Sequence, residues 1–170
     1  MKISRRETIK IAAGVAGSML VNNKSIFAQN SLIEKTIHST GEKIPAVGIG
    51  ARNYRDEWGD RETYTATIKI FNELGGKLID SAPSYGNSEE VVGAIINDLS
   101  IRNNLFIASK VDREGKQNGI DGIENSMRLL KSDPIDLMQV HNLIDVETQL
   151  ESLYEMKDQG RVKYVGVTVW

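Results

Sequence analysis

The chain has 170 residues, of which 40% are hydrophobic and 26% are charged, and it contains no cysteine. This is the composition of an ordinary globular domain, and it excludes collagen-like, disordered and disulfide-stapled chains. The formal net charge of −2 gives no reason to expect a nucleic-acid partner. Without cysteine, these residues cannot perform thiolate catalysis, bind zinc through thiolates or carry out dithiol redox chemistry.

The first 28 residues differ from the rest of the chain. They carry five basic side chains and one acidic side chain. An uncharged run of thirteen residues separates Lys10 from Lys24, which is shorter than the roughly 18–20 residues of a membrane-spanning helix. A basic start, a short apolar run and a small residue at Ala28 are typical of a secretory signal peptide.

The start of this segment, Ser4–Glu7 with the sequence SRRE, resembles the twin-arginine export signal of bacteria. We therefore predict that residues 1–28 direct the chain to the twin-arginine export machinery and are then removed. The mature protein would be periplasmic or exported, with no stable membrane insertion after cleavage. The alternative is an amphipathic N-terminal helix with two chance arginines.

Residues 29–170 alternate predicted strands and helices. A hairpin comes first, with strands at 35–38 and 43–44 around a turn that contains Gly41. Five apolar strands follow, at 44–50, 77–80, 105–109, 135–140 and 162–167. Amphipathic helices are predicted between them. The first covers 61–74, and the second begins at Asn87 or Ser88 as its N-cap and ends at 99. The third covers 120–130, and the fourth begins at 146 and ends at Gly160.

Repeated strand–helix units of this kind form a parallel sheet covered by helices. Two α/β architectures fit: a doubly wound sheet, or the first five units of a (β/α)₈ TIM barrel. Ionisable residues follow three successive strands, at Asp80, Lys110 and His141. A doubly wound sheet binds its ligand at one switch point, whereas all strand ends of a barrel surround one cavity. The sequence therefore favours the barrel.

Those strand ends carry the residue types of a proton-transfer site. Tyr85 lies on the loop after the second strand, five residues beyond Asp80. A free tyrosine ionises near pH 10, and a neighbouring ammonium favours the phenolate. Lys110 would supply that ammonium, Asp80 would keep it charged, and His141 would orient a substrate oxygen. Such a site protonates an oxygen on which negative charge develops, as carbonyl reduction requires.

Competing motifs are weak. The sequence has no metal-ligand spacing, nucleophile elbow or phosphate-binding loop. Gly48–Gly50 begins like a dinucleotide fingerprint, but the third glycine would have to stand at Asn53. No helix is predicted directly after it, so we reject a Rossmann fold.

From about Ile37 to Trp170 the sequence resembles the aldo/keto reductases. The most specific stretch is Lys77–Glu89, KLIDSAPSYGNSE. Supporting segments occur in the family's order, at 44–50 (IPAVGIG), 106–110 (FIASK), 136–141 (DLMQVH) and 160–167 (GRVKYVGV).

The resemblance implies an NADPH-dependent reductase of aldehydes or ketones on a (β/α)₈ barrel, with a small carbonyl compound as its substrate. It implies four catalytic residues: Asp80, Tyr85, Lys110 and His141. It implies cofactor contacts at Gly50, Asp80, Asn142 and Thr168, and no metal. Tyr54 and Trp58, on the loop after the first strand, would either join Tyr85 and His141 in the substrate pocket or simply pack the loop.

Two features depart from the family. Members hold the nicotinamide with a Ser-Asn pair after the fifth strand, and here Thr168 and Val169 occupy these positions. Threonine retains the hydroxyl, but valine offers no amide.

In addition, such a barrel takes about 250 residues and eight strands, so we expect these residues to be the N-terminal part of a longer protein. The alternative function is a non-catalytic module of the same fold that binds NADPH or a partner.

Overall fold

Five parallel strands hydrogen-bond to one another in the order in which they occur in the chain. The computed structural model describes residues 32–169. The strands of this sheet are β3 (Ile49–Gly50), β4 (Leu78–Asp80), β5 (Phe106–Val111), β6 (Ile135–His141) and β7 (Val162–Thr168). A doubly wound sheet reverses its strand order at a switch point, and no reversal occurs among the described strands. The sequential order is that of a (β/α)₈ barrel, of which five strands are present here.

A helix connects each pair of neighbouring strands in this sheet. The helices are α1 (Arg61–Glu73), α2 (Ser88–Asp98), α3 (Lys116–Leu130) and α4 (Val146–Asp158). Each presents its predicted apolar face to the sheet, and Ile68, Ile96, Ile123 and Leu153 are fully buried there. They meet buried strand residues such as Ile79, Ile107 and Met138. The core therefore lies between the sheet and the helices.

Helices α2 and α3 pack closely because of one glycine. A Cβ atom placed on Gly93 would overlap the backbone carbonyl oxygen of Leu129. Only a residue without a side chain allows the two helices to approach this closely.

A short hairpin precedes the sheet, as the sequence predicted. Its strands β1 (Glu34–Thr36) and β2 (Lys43–Pro45) pair antiparallel. The Tyr164 hydroxyl on β7 bonds Glu42 Oε2 at 2.5 Å, and Lys163 Nζ donates to Glu42 at 2.9 Å. The hydrogen bond from Lys163, followed by that from Tyr164, lowers the pKa of Glu42. These contacts attach the hairpin to the fifth strand of the sheet.

Three details of the sequence prediction are wrong. The run 44–50 is not one strand, because its first part pairs within the hairpin and only Ile49–Gly50 joins the sheet. Asn87 occupies the N-cap of α2 but its side chain does not cap, since it donates to Asp56 instead. The third strand runs on to Val111, so Lys110 lies within it and not after it.

The predicted signal segment, residues 1–28, lies outside the described residues. Within residues 32–169, every helix is too short or too polar to span a lipid bilayer.

Candidate active site

A buried ion pair joins two neighbouring strands at their carboxyl ends. Lys110 is only 4% exposed, and its Nζ donates to Asp80 Oδ1 and Oδ2 at 2.9 and 2.8 Å. Lys110 Nζ also donates to the backbone oxygen of Ser81 at 2.7 Å. Strands β4 and β5 are paired in parallel, so both residues reach the same end of the sheet. A buried ammonium is costly unless it is paired and hydrogen-bonded, and here both conditions are met.

Tyr85 lies next to this ion pair. Lys110 Nζ is 5.1 Å from the centre of the Tyr85 ring. The loop that carries Tyr85 turns tightly after β4, with the Tyr85 amide donating to Ala82 at 3.0 Å and Gly86 at a φ of +63°. The prediction was an ammonium close to the Tyr85 hydroxyl oxygen, and the contact in the structure is with the face of the aromatic ring.

His141 completes the group. It is the last residue of β6 and is 7% exposed. It shares a cavity of about 370 Å³ with Tyr85. Among the described residues, the cavity is lined by Arg52, Ser84, Tyr85, Asp112, His141, Asn142 and Ile144. The four predicted catalytic residues therefore come together at the carboxyl ends of β4, β5 and β6.

The predicted cofactor residues lie along the same edge of the sheet. Gly50 ends β3 opposite Asp80, and the Asn142 amide donates to the Thr168 carbonyl at 2.7 Å. The side chains of Asn142 and Thr168 make no hydrogen bond within residues 32–169. An amide and a hydroxyl can satisfy both the donor and the acceptor of a carboxamide. The chemistry of these groups fits the nicotinamide end of NADPH, while the exposed Val169 adds no polar group.

Tyr54 and Trp58 are not among the described residues that line the cavity. Tyr54 stacks on Tyr64 with ring centres 4.6 Å apart and packs against the core. Burial raises its pKa. Trp58 is 55% exposed and lies beneath the guanidinium of Arg55 at 4.2 Å. Contact of either side chain with substrate stays a prediction.

A buried carboxyl group beside β5 was not predicted from the sequence. Glu89 on α2 is 2% exposed, and it accepts hydrogen bonds from the hydroxyls of Ser109 on β5 and Ser126 on α3. Burial raises the pKa of this carboxyl group. A signal was present, because Glu89 stands three and seven residues before Val92 and Ile96, on the buried face of α2.

Four cavity residues were also missed: Arg52, Ser84, Asp112 and Ile144. Their positions in the loops directly after β3, β4, β5 and β6 were the available signal. Asp112 Oδ1 is buried without a hydrogen-bond partner in the described part of the chain, at 3.8 Å from Arg113 Nε.

A second cavity, of about 410 Å³, opens at the opposite end of the sheet. Charged side chains line it, but several pair with each other, including Arg102 with Asp136 at 2.8 Å and Lys163 Nζ with Glu42 Oε2 at 2.8 Å. It contains none of the predicted proton-transfer residues. We therefore place the candidate active site at the carboxyl ends of the strands, where barrel enzymes carry theirs.

Comparison with known sequences finds relatives that are named as reductases. The chain is 32% identical over 151 residues to the aldo-keto reductase YhdN of Bacillus subtilis, which covers 78% of this chain and 46% of that protein. It is 32% identical over 142 residues to the methylglyoxal reductase YeaE of Escherichia coli, which covers 79% of this chain and 49% of that protein. The chain spans about half the length of the curated relatives it matches.

Solved structures of other proteins superpose on the fold of this chain. An aldo-keto reductase from Pseudomonas aeruginosa superposes with a TM-score of 0.73 at 26% identity, covering 81% of this chain and 59% of its own. An aldo-keto reductase from Klebsiella pneumoniae in complex with NADPH gives a TM-score of 0.68 at 28% identity, covering 80% and 50%. The model of the aldo/keto reductase family matches residues 46–170. The chain belongs to the aldo/keto reductase family.

Proposed function

We propose that the whole protein reduces the carbonyl group of an aldehyde or ketone, with NADPH as hydride donor and Tyr85 as proton donor. The observation that carries this proposal is the Lys110 ammonium, buried against Asp80 and 5.1 Å from the centre of the Tyr85 ring. The relatives named as reductases and the Klebsiella structure in complex with NADPH support it.

Each residue has a distinct role in this mechanism. NADPH, when bound, supplies the hydride that reaches the carbonyl carbon. Tyr85 gives its hydroxyl proton to the carbonyl oxygen, so the product is an alcohol. The nearby charge of Lys110 stabilises the phenolate that remains, and Asp80 holds the Lys110 ammonium in place. His141 orients the carbonyl oxygen through a hydrogen bond from its ring N–H.

The same proposal assigns cofactor contacts to Gly50, Asp80, Asn142 and Thr168. Gly50 has open space where a side chain would lie, so the nicotinamide can approach the backbone there. Asn142 and Thr168 would bind its carboxamide, because both side chains have free hydrogen-bonding capacity in the described structure.

The experiment is carbonyl-dependent oxidation of NADPH by the whole protein, with Tyr85→Phe compared against wild type. Loss of a positioned proton donor should lower kcat by about 10²- to 10⁴-fold. Tyr154→Phe is the matched control, because Tyr154 is exposed on α4 and far in sequence from the site. Equal turnover by wild type and Tyr85→Phe contradicts the proton-donor role.

The departure at Val169 favours the second candidate function, a non-catalytic module of the same fold that binds NADPH or a partner. Fluorescence titration with NADPH distinguishes the two. Binding without turnover of any carbonyl compound would support the module.

We further propose that residues 1–28 are a twin-arginine signal peptide and that the mature protein is periplasmic or exported. The support is the sequence of this segment, with Arg5 and Arg6 before an uncharged run. Replacing both arginines with lysine should retain the protein in the cytoplasmic fraction of the producing cells. Unchanged export of the double variant contradicts this assignment.

A further inference from the structure

The backbone of residues 142–145, here called the β6 turn, has an unusual conformation directly after β6. Asn142, Leu143 and Asp145 have φ angles of +53°, +58° and +45°. This left-handed region is unfavourable for residues with a side chain, although asparagine and aspartate tolerate it better than the others. The strain of the turn is therefore greatest at Leu143. Such strain persists only where the surrounding structure fixes the conformation.

The β6 turn determines which of its side chains reach the cavity beside Tyr85. Asn142 and Ile144 line this cavity, whereas Leu143 is not among its described lining residues and is 50% exposed. Packing of a half-exposed leucine does little to compensate the strain of its backbone. A relaxed turn, with Leu143 at a negative φ, would change the direction of the chain and move Asn142 relative to the cavity.

Backbone hydrogen bonds fix the first part of the β6 turn. The Asn142 amide donates to the Thr168 carbonyl on β7 at 2.7 Å, and the Ile144 amide donates to the His141 carbonyl at 3.1 Å. These bonds do not depend on the side chains of the turn. The first part is therefore attached to the sheet whichever residues it carries.

The end of the β6 turn is fixed by one side chain, that of Asp145. Its Oδ2 accepts from the Gly115 amide at 2.7 Å, and its Oδ1 accepts from Thr148 Oγ1 at 2.8 Å. These hydrogen bonds, first the one from Gly115, lower the pKa of Asp145, so the carboxylate is charged at neutral pH. The buried Gln149 bonds the Gly115 carbonyl through Nε2 at 3.2 Å. Asp145 thus connects the turn to the start of α3 and to the first turn of α4.

We propose that Asp145 is a positioning residue, which holds the strained β6 turn so that Asn142 faces the nicotinamide end of NADPH. Asp145 is not among the described residues that line the cavity, so it acts through the turn. Without its carboxylate the turn relaxes in the free protein, and NADPH must restore the strained form when it binds. Affinity falls by the fraction of molecules in the competent form. This inference rests on the proposed contact between Asn142 and NADPH.

The test measures the Kd for NADPH by fluorescence titration of the whole protein. Asp145→Gly removes the carboxylate, and glycine adopts a φ of +45° without strain. Its Kd should rise by about 5- to 30-fold, the factor that corresponds to the strain of one left-handed residue. Leu143→Gly alone should stay within about twofold of wild type, because the wild-type turn is already competent. Added to Asp145→Gly, it should recover most of the lost affinity, since little strain then remains.

Asp60→Gly is the matched control. The Asp60 carboxylate accepts the same kinds of hydrogen bond at the start of α1, from the amide and hydroxyl of Thr63 at 2.7 and 2.8 Å. Both glycine variants should lower the midpoint of urea unfolding, but Asp60→Gly should keep the wild-type Kd.

The outcomes separate this inference from the proposed function. If wild type binds NADPH and Asp145→Gly binds it equally well, the positioning role is wrong while the proposed function stands. The same holds if the double variant binds NADPH no better than Asp145→Gly. If wild type does not bind NADPH, the proposed function fails and this inference fails with it.

Discussion

Lys110 and Asp80 are thirty residues apart in the chain, yet the Lys110 ammonium donates to both carboxylate oxygens of Asp80. The side chain of Lys110 is 5% exposed and that of Asp80 is 34% exposed. The pair therefore has a buried cation and a partly exposed carboxylate. This arrangement holds a positive charge beside Tyr85. Because the ammonium is buried, the stability of the fold depends on its pairing with Asp80.

Replacing Asp80 with asparagine tests how much the ion pair contributes to the free energy of unfolding. Asp80→Asn keeps the shape of the side chain but leaves the buried ammonium without a counter-charge. Because Asp80 is partly exposed, water can compensate in part, and we expect the free energy of unfolding to fall by about 1–3 kcal/mol. Urea denaturation of the chain measures it. Asp98→Asn, at the exposed end of α2, serves as control and should change stability by less than about 0.5 kcal/mol. Equal stability of Asp80→Asn and wild type would refute the structural role.

The buried Glu89 predicts a pH dependence of stability. Burial raises its pKa above the ordinary value of 4.5, so the folded chain binds this proton more tightly than the unfolded chain does. The free energy of unfolding should therefore decrease as the pH rises from about 4.5 through the pKa of the folded state. The glutamine of Glu89→Gln is neutral at every pH and can still bond Ser109 and Ser126. The free energy of unfolding of this variant should therefore not show this part of the decrease with pH.

Denaturation curves recorded between pH 4 and 8, on the order of half a pH unit apart, measure that difference. Glu90→Gln is the matched control, because Glu90 is the next residue on α2 and is exposed. It should follow the wild-type curve. A Glu89→Gln variant with the full wild-type decline would show that Glu89 is not the group responsible.

Two helix glycines should respond to alanine in opposite ways. Alanine is the better helix former by about 1 kcal/mol. At Gly93 the new methyl group meets the Leu129 backbone, whereas at Gly122 it meets only the flexible Arg113 side chain, at 3.2 Å. We expect Gly93→Ala to lower the free energy of unfolding by about 1–3 kcal/mol and Gly122→Ala to raise it by about 0.5–1 kcal/mol. Thermal or urea unfolding of the two variants checks this, and a stabilised Gly93→Ala would contradict the close helix contact.

Periodicity in the sequence was sufficient to find the four helices among residues 32–169, while the order of the strands needed the ionisable residues at the strand ends. The apolar spacing of Ile68, Ile96, Ile123 and Leu153 was visible, and each of these residues is buried as expected. The run 44–50 was ambiguous for a physical reason. An apolar segment does not reveal its pairing partner, and here the hairpin takes part of it.

Long-range polar contacts were harder to predict. Asn87 and Ser88 have the side chains of helix caps, but Asn87 bonds Asp56 and Ser88 bonds the Ala51 carbonyl. These partners are 31 and 37 residues away, so local sequence gives no sign of them. Asp80, Lys110 and His141 were predictable because parallel strands bring their carboxyl ends to one edge. Arg52 and Asp112 could have been found by the same rule.

In the proposed mechanism, Lys110 acts through Tyr85 in carbonyl reduction. A double-mutant cycle on kcat tests it, with Tyr85→Phe, Lys110→Met and the variant that carries both changes, assayed in the whole protein by NADPH oxidation. If the two residues form one unit, each single variant should lose about as much activity as the double variant. Losses that multiply in the double variant would mean that the two side chains act independently, and they would contradict the mechanism.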